Sequence, residues 1–176
     1  MSTIEVWLNE KSVAVGGGHD FEVLTLGVLG NMASGPATAQ LTGWRKSTGE
    51  HFQWFCIQLR RQDKVRAVFR KQGTPTPAII SGAVKENWAP MSSESNAIDR
   101  SPAELHPSSS FRMTLGTQVI RASAHTSLLL QATATWHRSY ENLKVEIGCV
   151  ANEKSEGHFW VETWAECDEF VEIEIR

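Results

Sequence analysis

The stretch TSLLLQATATWHR, residues 126–138, decides how the chain folds. Leu128, Leu130, Ala132, Ala134 and Trp136 share one face of an extended backbone, and Gln131, Thr133, Thr135 and His137 share the other. Strand side chains alternate between two faces, so this period of two predicts a strand with one face in a core and the other toward water.

Working outward, the same period returns. NLKVEIGCV sets Leu143, Val145, Ile147 and Cys149 against Lys144, Glu146 and Gly148. Near the C-terminal end Val171, Ile173 and Ile175 alternate with Glu172, Glu174 and Arg176, and in KVRAVFRK Val65, Ala67 and Phe69 alternate with Lys64, Arg66 and Arg70. Residues 3–8, 21–30, 37–45, 51–60, 111–122 and 158–166 add further candidates. About nine or ten strands at this spacing predict an all-β antiparallel β-sandwich, jelly-roll-like or related. Its 176 residues suit a single β-sandwich domain, 1–176.

One segment breaks the pattern. Residues 72–110 hold Pro75, Pro77, Pro90, Pro102 and Pro107 and the clusters MSSES and HPSSS, so they read as a long excursion from the sandwich. Ile79, Ile80, Val84 and Trp88 predict that Ala78–Trp88 packs, while Ser92–Asn96 is expected to stay exposed. SPAELH reads as one capped helical turn, with Ser101 as N-cap, Pro102 first in the helix and Glu104 closing the box. No internal repeat is visible.

Gly16-Gly17-Gly18-His19-Asp20 raises the possibility of a phosphate cradle. A Walker loop ends in Gly-Lys-Ser/Thr before a helix, and a dinucleotide loop would need glycine where Phe21 stands. The glycines therefore read as a turn or bulge feeding a strand. His19, His51, His106, His125, His137 and His158 form no HxH or HExxH pair, and Cys56, Cys149 and Cys167 no CxxC, so no metal and no cofactor are expected. Cys149 sits on an apolar strand face, Cys56 in a run apolar on both faces, and Cys167 between Glu166 and Asp168. None has the setting of an activated thiolate. No GxSxG elbow is present.

The net charge is −3, which does not suggest a nucleic-acid binder. Charge is nevertheless segregated. RRQDKVRAVFRK, residues 60–71, carries Arg60, Arg61, Lys64, Arg66, Arg70 and Lys71 against one acid, whereas residues 153–176 are strongly acidic. The basic stripe could contact nucleic acid, but lateral pairing with the acidic strand, within a sheet or between chains, is the favoured expectation. Seven tryptophans accompany one tyrosine. Trp7 and Trp44 alternate out of phase with their apolar neighbours, and Trp160 and Trp164 fall with Glu162 and Glu166, which offers aromatic rings on polar faces. Such rings stack on sugars, bases or a partner chain.

The expected function is a non-enzymatic interaction or structural protein that self-associates, as a homo-oligomer, or docks into an assembly of coat, shell or appendage type. The alternatives are a carbohydrate-binding, lectin-like module that takes a glycan on exposed tryptophans, and a hydrolase with dispersed residues. No apolar run reaches the roughly 18 residues of a membrane span. MSTIEVWLNEK has no basic segment followed by an apolar one, so a cytoplasmic or other reducing compartment is expected.

Overall fold

The computed structural model describes residues 1–31, 37–83, 110–123, 128–151 and 157–176. Among them are thirteen strands: β1 (Ser2–Leu8), β2 (Lys11–Gly18), β3 (Val23–Asn31), β4 (Ala37–Arg45), β5 (Glu50–Leu59), β6 (Lys64–Arg70), β7 (Ile80–Ala83), β8 (Ser110–Leu115), β9 (Gln118–Ser123), β10 (Leu128–His137), β11 (Leu143–Ala151), β12 (Gly157–Ala165) and β13 (Phe170–Ile175). They form two antiparallel sheets, ordered β2-β1-β6-β13-β8-β9 and β12-β11-β10-β3-β4-β5-β7. The sandwich is as expected, but the count exceeds nine or ten for three reasons. Residues 11–18 form a strand although they end in glycine, Ile80–Ala83 add an edge strand, and 111–122 is a hairpin turning at Gly116 (φ 53°).

Each alternating stretch contributes its apolar face to one shared core. Ile4 and Val6, Val65, Ala67 and Phe69, and Val171, Ile173 and Ile175 point inward from the six-stranded sheet; Leu24, Leu26, Leu41, Ala132, Ala134, Val145 and Ile147 meet them from the seven-stranded one. Phe69 stacks on Trp136 across the layers with centroids 5.9 Å apart.

The chain is built twice, contrary to the reading that it holds no repeat. A hairpin in one sheet (β1–β2), a three-strand meander in the other (β3–β5) and a returning strand (β6) recur as β8–β9, β10–β12 and β13. Leu26 faces Leu41 as Ala132 faces Ile147, and Leu41 faces Phe55 as Ile147 faces Val161, so the meanders correspond at an offset of 106 residues. The irregularities correspond too. The β4–β5 register slips between Leu41 and Thr42, admitting Trp54, and the β11–β12 register slips between Ile147 and Gly148, admitting Trp160. Gln62 (φ 72°) and Asp168 (φ 67°) occupy the same left-handed position in the turns before β6 and β13. The Gln62 N–H donates to the Ile175 carbonyl at 2.7 Å, and the Asp168 N–H to that of Phe69 at 2.9 Å, so each turn is tied to the other half.

The halves join along two central seams, β6 against β13 and β3 against β10. One side is further closed by the segment after β6. The Thr76 N–H donates to the Val15 carbonyl at 2.9 Å on the β2 edge, the Ile79 N–H to the Gln53 carbonyl at 2.7 Å on the β5 edge, and β7 then pairs with β5. Ala78 packs on the core, in line with the expected packing of that region, but Ile79 is exposed. Trp88, Ser92–Asn96 and the turn at Ser101–His106 lie outside the described residues.

The glycine run belongs to β2, not to a turn or cradle: Gly16, Gly17 and Gly18 pair with Ile4, Thr3 and Ser2. A Cβ at Gly16 would come within 2.7 Å of the Trp54 ring, and one at Gly43 within 2.8 Å of it. The two glycines make the hole that the bulged Trp54 fills. Replacing Trp54 by Ala should cost about 3–5 kcal/mol in urea unfolding, and Gly43→Ala about 1–3 kcal/mol through overpacking. Combined, the two should cost clearly less than their sum, because removing the ring makes room for the methyl.

Candidate functional site: an aromatic row on the seven-stranded sheet

The outer face of the seven-stranded sheet is lined by hydroxyls and amides, with aromatic rings gathered at one end. Successive cross-strand partners place His51, Trp44, Val23 and His137 in one transverse row, and Thr42, Thr25, Thr135, Lys144 and Trp164 in the next. The Thr25 and Thr135 hydroxyls lie 3.3 Å apart. Tyr140, in the turn after β10, links the rows at their far end: its ring is 5.3 Å from His137 and packs edge-on to Trp164 at 5.0 Å. Trp44 and His51 lie 6.4 Å apart at the near end. Trp164 is 44% exposed, so much of it is open to solvent beside Tyr140.

Polar groups fix this arrangement. The Ser139 N–H donates to His137 Nδ1 at 3.1 Å, and Ser139 Oγ lies 2.6 Å from the same atom. Nδ1 therefore carries the lone pair in the neutral ring, and Nε2 faces Glu22 at 3.6 Å. Beside Trp164, Lys144 Nζ lies 2.8 Å from Glu146 and 3.2 Å from Glu162. The Glu146 contact leads in raising the Lys144 ammonium above its usual value, opposed by burial, with Glu162 adding to the rise.

The internal repeat separates what the fold needs from what it does not. At the offset of 106, Leu41 corresponds to Ile147 and Val65 to Val171, as a shared core requires, and the bulge position of Trp54 corresponds to that of Trp160. The residues corresponding to Trp44, His51, His137 and Trp164 are Val150, Gly157, Asn31 and Gln58. The backbone repeats without those rings, so packing alone does not call for them.

The other expected site residues lie elsewhere. Trp7 is half-buried on the outer face of the six-stranded sheet, opposite Arg66. Trp160 is the bulge residue of β12, so alternation counted along the sequence does not carry through it; its side chain lies outside the described residues. Arg60 and Arg61 are exposed in the turn before β6, and Lys71 is exposed after it. Lys64, Arg66 and Arg70 form the expected outward stripe, but β6 lies beside β13 and the stripe is engaged. Arg66 is 2.8 Å from Glu172, Lys64 4.0 Å from the same carboxylate, and Arg70 3.1 Å from Glu5 and 2.9 Å from Asp168. This is lateral pairing within one sheet. Sequence reading passed over His137, Tyr140 and Lys144 as site residues; the outward phase of His137 and Lys144 was visible, but not their neighbours.

Among the described residues no group of histidine, cysteine and acidic side chains is placed to hold a metal ion, and no helix is long and apolar enough to cross a membrane. Cys56 and Cys167 are free thiols. The fold and its face define an internally duplicated all-β sandwich with an aromatic, hydroxyl-rich outer surface. Compared with protein-family models, curated proteins and solved structures, the chain gives no match.

Cys56 borders this face, and burial pushes its thiol above the usual range, opposed by a hydrogen bond with Gln53. Iodoacetamide should label Cys56 more slowly in the native protein than in urea, with the native rate profile displaced to higher pH. A raised thiol pKa means that the unfolded chain ionises first. This contribution to stability is therefore intact below about pH 8.5 and falls as pH rises beyond it.

Proposed function

We propose that the chain is an interaction module that binds a neutral glycan across the aromatic end of its seven-stranded sheet. The observation that carries this reading is the pair of linked transverse rows holding Trp44 and Trp164, gathered at one end of the sheet, while the matching positions at the other end carry no rings. A pyranose ring has an apolar C–H face rimmed by hydroxyls. An open indole takes the first, and Thr25, Thr135, Glu162 and the His137 ring offer donors and acceptors for the second. Lys144 is neutralised by Glu146 and Glu162, which offsets the positive charge that would favour phosphate or nucleic acid.

Assembly into a coat, shell or appendage draws less support. The complementary charges that would attract copies to one another meet inside the six-stranded sheet.

The test is quenching of tryptophan fluorescence with a panel of neutral and acidic polysaccharides. A neutral glycan should bind the parent, Trp164→Ala and Trp44→Ala should each weaken it at least about tenfold, a loss of about 1.4 kcal/mol, and Trp7→Ala on the opposite sheet should leave it unchanged. Absence of binding across the panel, or equal loss from Trp7→Ala, would remove the proposal.

A further inference from the structure

We infer that the two halves of this chain form an exchangeable interface whose partner is a second copy of the same chain: residues 1–83 of one molecule pair with 110–176 of another, under the control of Arg66 and Glu172. Arg66 and Glu172 are direct cross-strand partners at the β6–β13 seam. They are also counterparts at the offset of 106, so the pseudo-twofold axis passes between them. Gly27 and Thr133 stand in the same relation at the β3–β10 seam. The chain thus has the geometry of a symmetric dimer, with its two subunits fused.

Charge on the axis dictates which halves meet. If two first halves paired through β6, Arg66 would face Arg66 of the second copy. If two second halves paired through β13, Glu172 would face Glu172. Like charges directly opposite in a ladder are destabilising, whereas Arg66 on Glu172 makes a 2.8 Å ion pair. Only a first half with a second half satisfies the axis. The turn bonds from Gln62 to Ile175 and from Asp168 to Phe69 also cross between halves.

Nothing in that rule requires both halves to belong to one chain. Beyond β7, the connection to β8 runs through residues 84–109. A chain of roughly 25 residues can extend about 80–90 Å, several times the roughly 16 Å radius of gyration expected for this length. Covalent connection raises the local concentration of the second half above that of a second copy in dilute solution. The closed monomer therefore wins in dilute solution. Refolding at high protein concentration allows exchange into a dimer of two complete sandwiches.

Two full-length variants test this. Arg66→Glu leaves carboxylates on both sides of the axis, and Glu172→Arg leaves guanidinium groups on both. Each variant refolded alone should be a monomer less stable than the parent. Refolded together, they should give a heterodimer, because the first half of the Arg66→Glu chain then meets the second half of the Glu172→Arg chain, and the remaining halves meet as in the parent. Size-exclusion chromatography with mass spectrometry reads the outcome. Expected is a dimer with one copy of each chain, several-fold more abundant than from either variant alone. A mixture that stays monomeric at every concentration overturns exchange. Where a single variant does not fold, the double variant Arg66→Glu/Glu172→Arg keeps the question open to measurement. It should restore the parent's stability, and a double variant no more stable than the singles overturns the role of the pair.

Discussion

The meeting of β6 and β13 is the contact on which the rest of this molecule depends. It joins two six-strand halves in the middle of one sheet and places β3 against β10 in the middle of the other. Each half supplies part of both sheets, so the core is shared across the seam. Together they stack hairpin over meander on both sides of an axis, and Val65, Ala67, Val171 and Ile173 disappear from solvent at the seam. An exposed ion pair contributes little by itself. Arg66 and Glu172 matter because their position on the axis makes every alternative pairing of halves a like-charge contact.

Duplication also explains where a function can reside. A repeated backbone constrains inward positions twice over, since both halves share one core. Outward positions carry no such constraint, and there the halves diverge. One end of the seven-stranded sheet carries Trp44, His51, His137, Tyr140 and Trp164, while the other end carries residues without rings at the four matching strand positions. The divergence reaches charge as well: the turn before β6 reads Arg60-Arg61-Gln62-Asp63, and its counterpart reads Glu166-Cys167-Asp168-Glu169. Both turns keep their carboxylate at the last position, where Asp63 accepts from the Arg60 N–H at 2.7 Å and Glu169 from the Glu166 N–H at 3.0 Å. The turn's own requirement was kept, and its exposed residues changed sign.

Sequence alone established the all-β class, most strand positions and the inward residues of the main strands, because alternation is a local property written wherever one face is buried. The strand at 37–45 was legible to the residue, and so was the outward phase of Arg66, Glu172, Trp44 and Trp164. Strands of low apolar content were not legible, since Gly16 packs by having no side chain, a role that Trp54 reveals only across the sheets. The repeat was hidden because the halves share an in-and-out pattern with few identical residues, and many apolar side chains satisfy one inward position. Tertiary structure alone decided which strands are neighbours. That choice turned a basic stripe into half of an ion-paired seam and drew His137, Tyr140 and Trp164 together, because pairing between strands far apart in the chain is set by how two whole sheets close on one core.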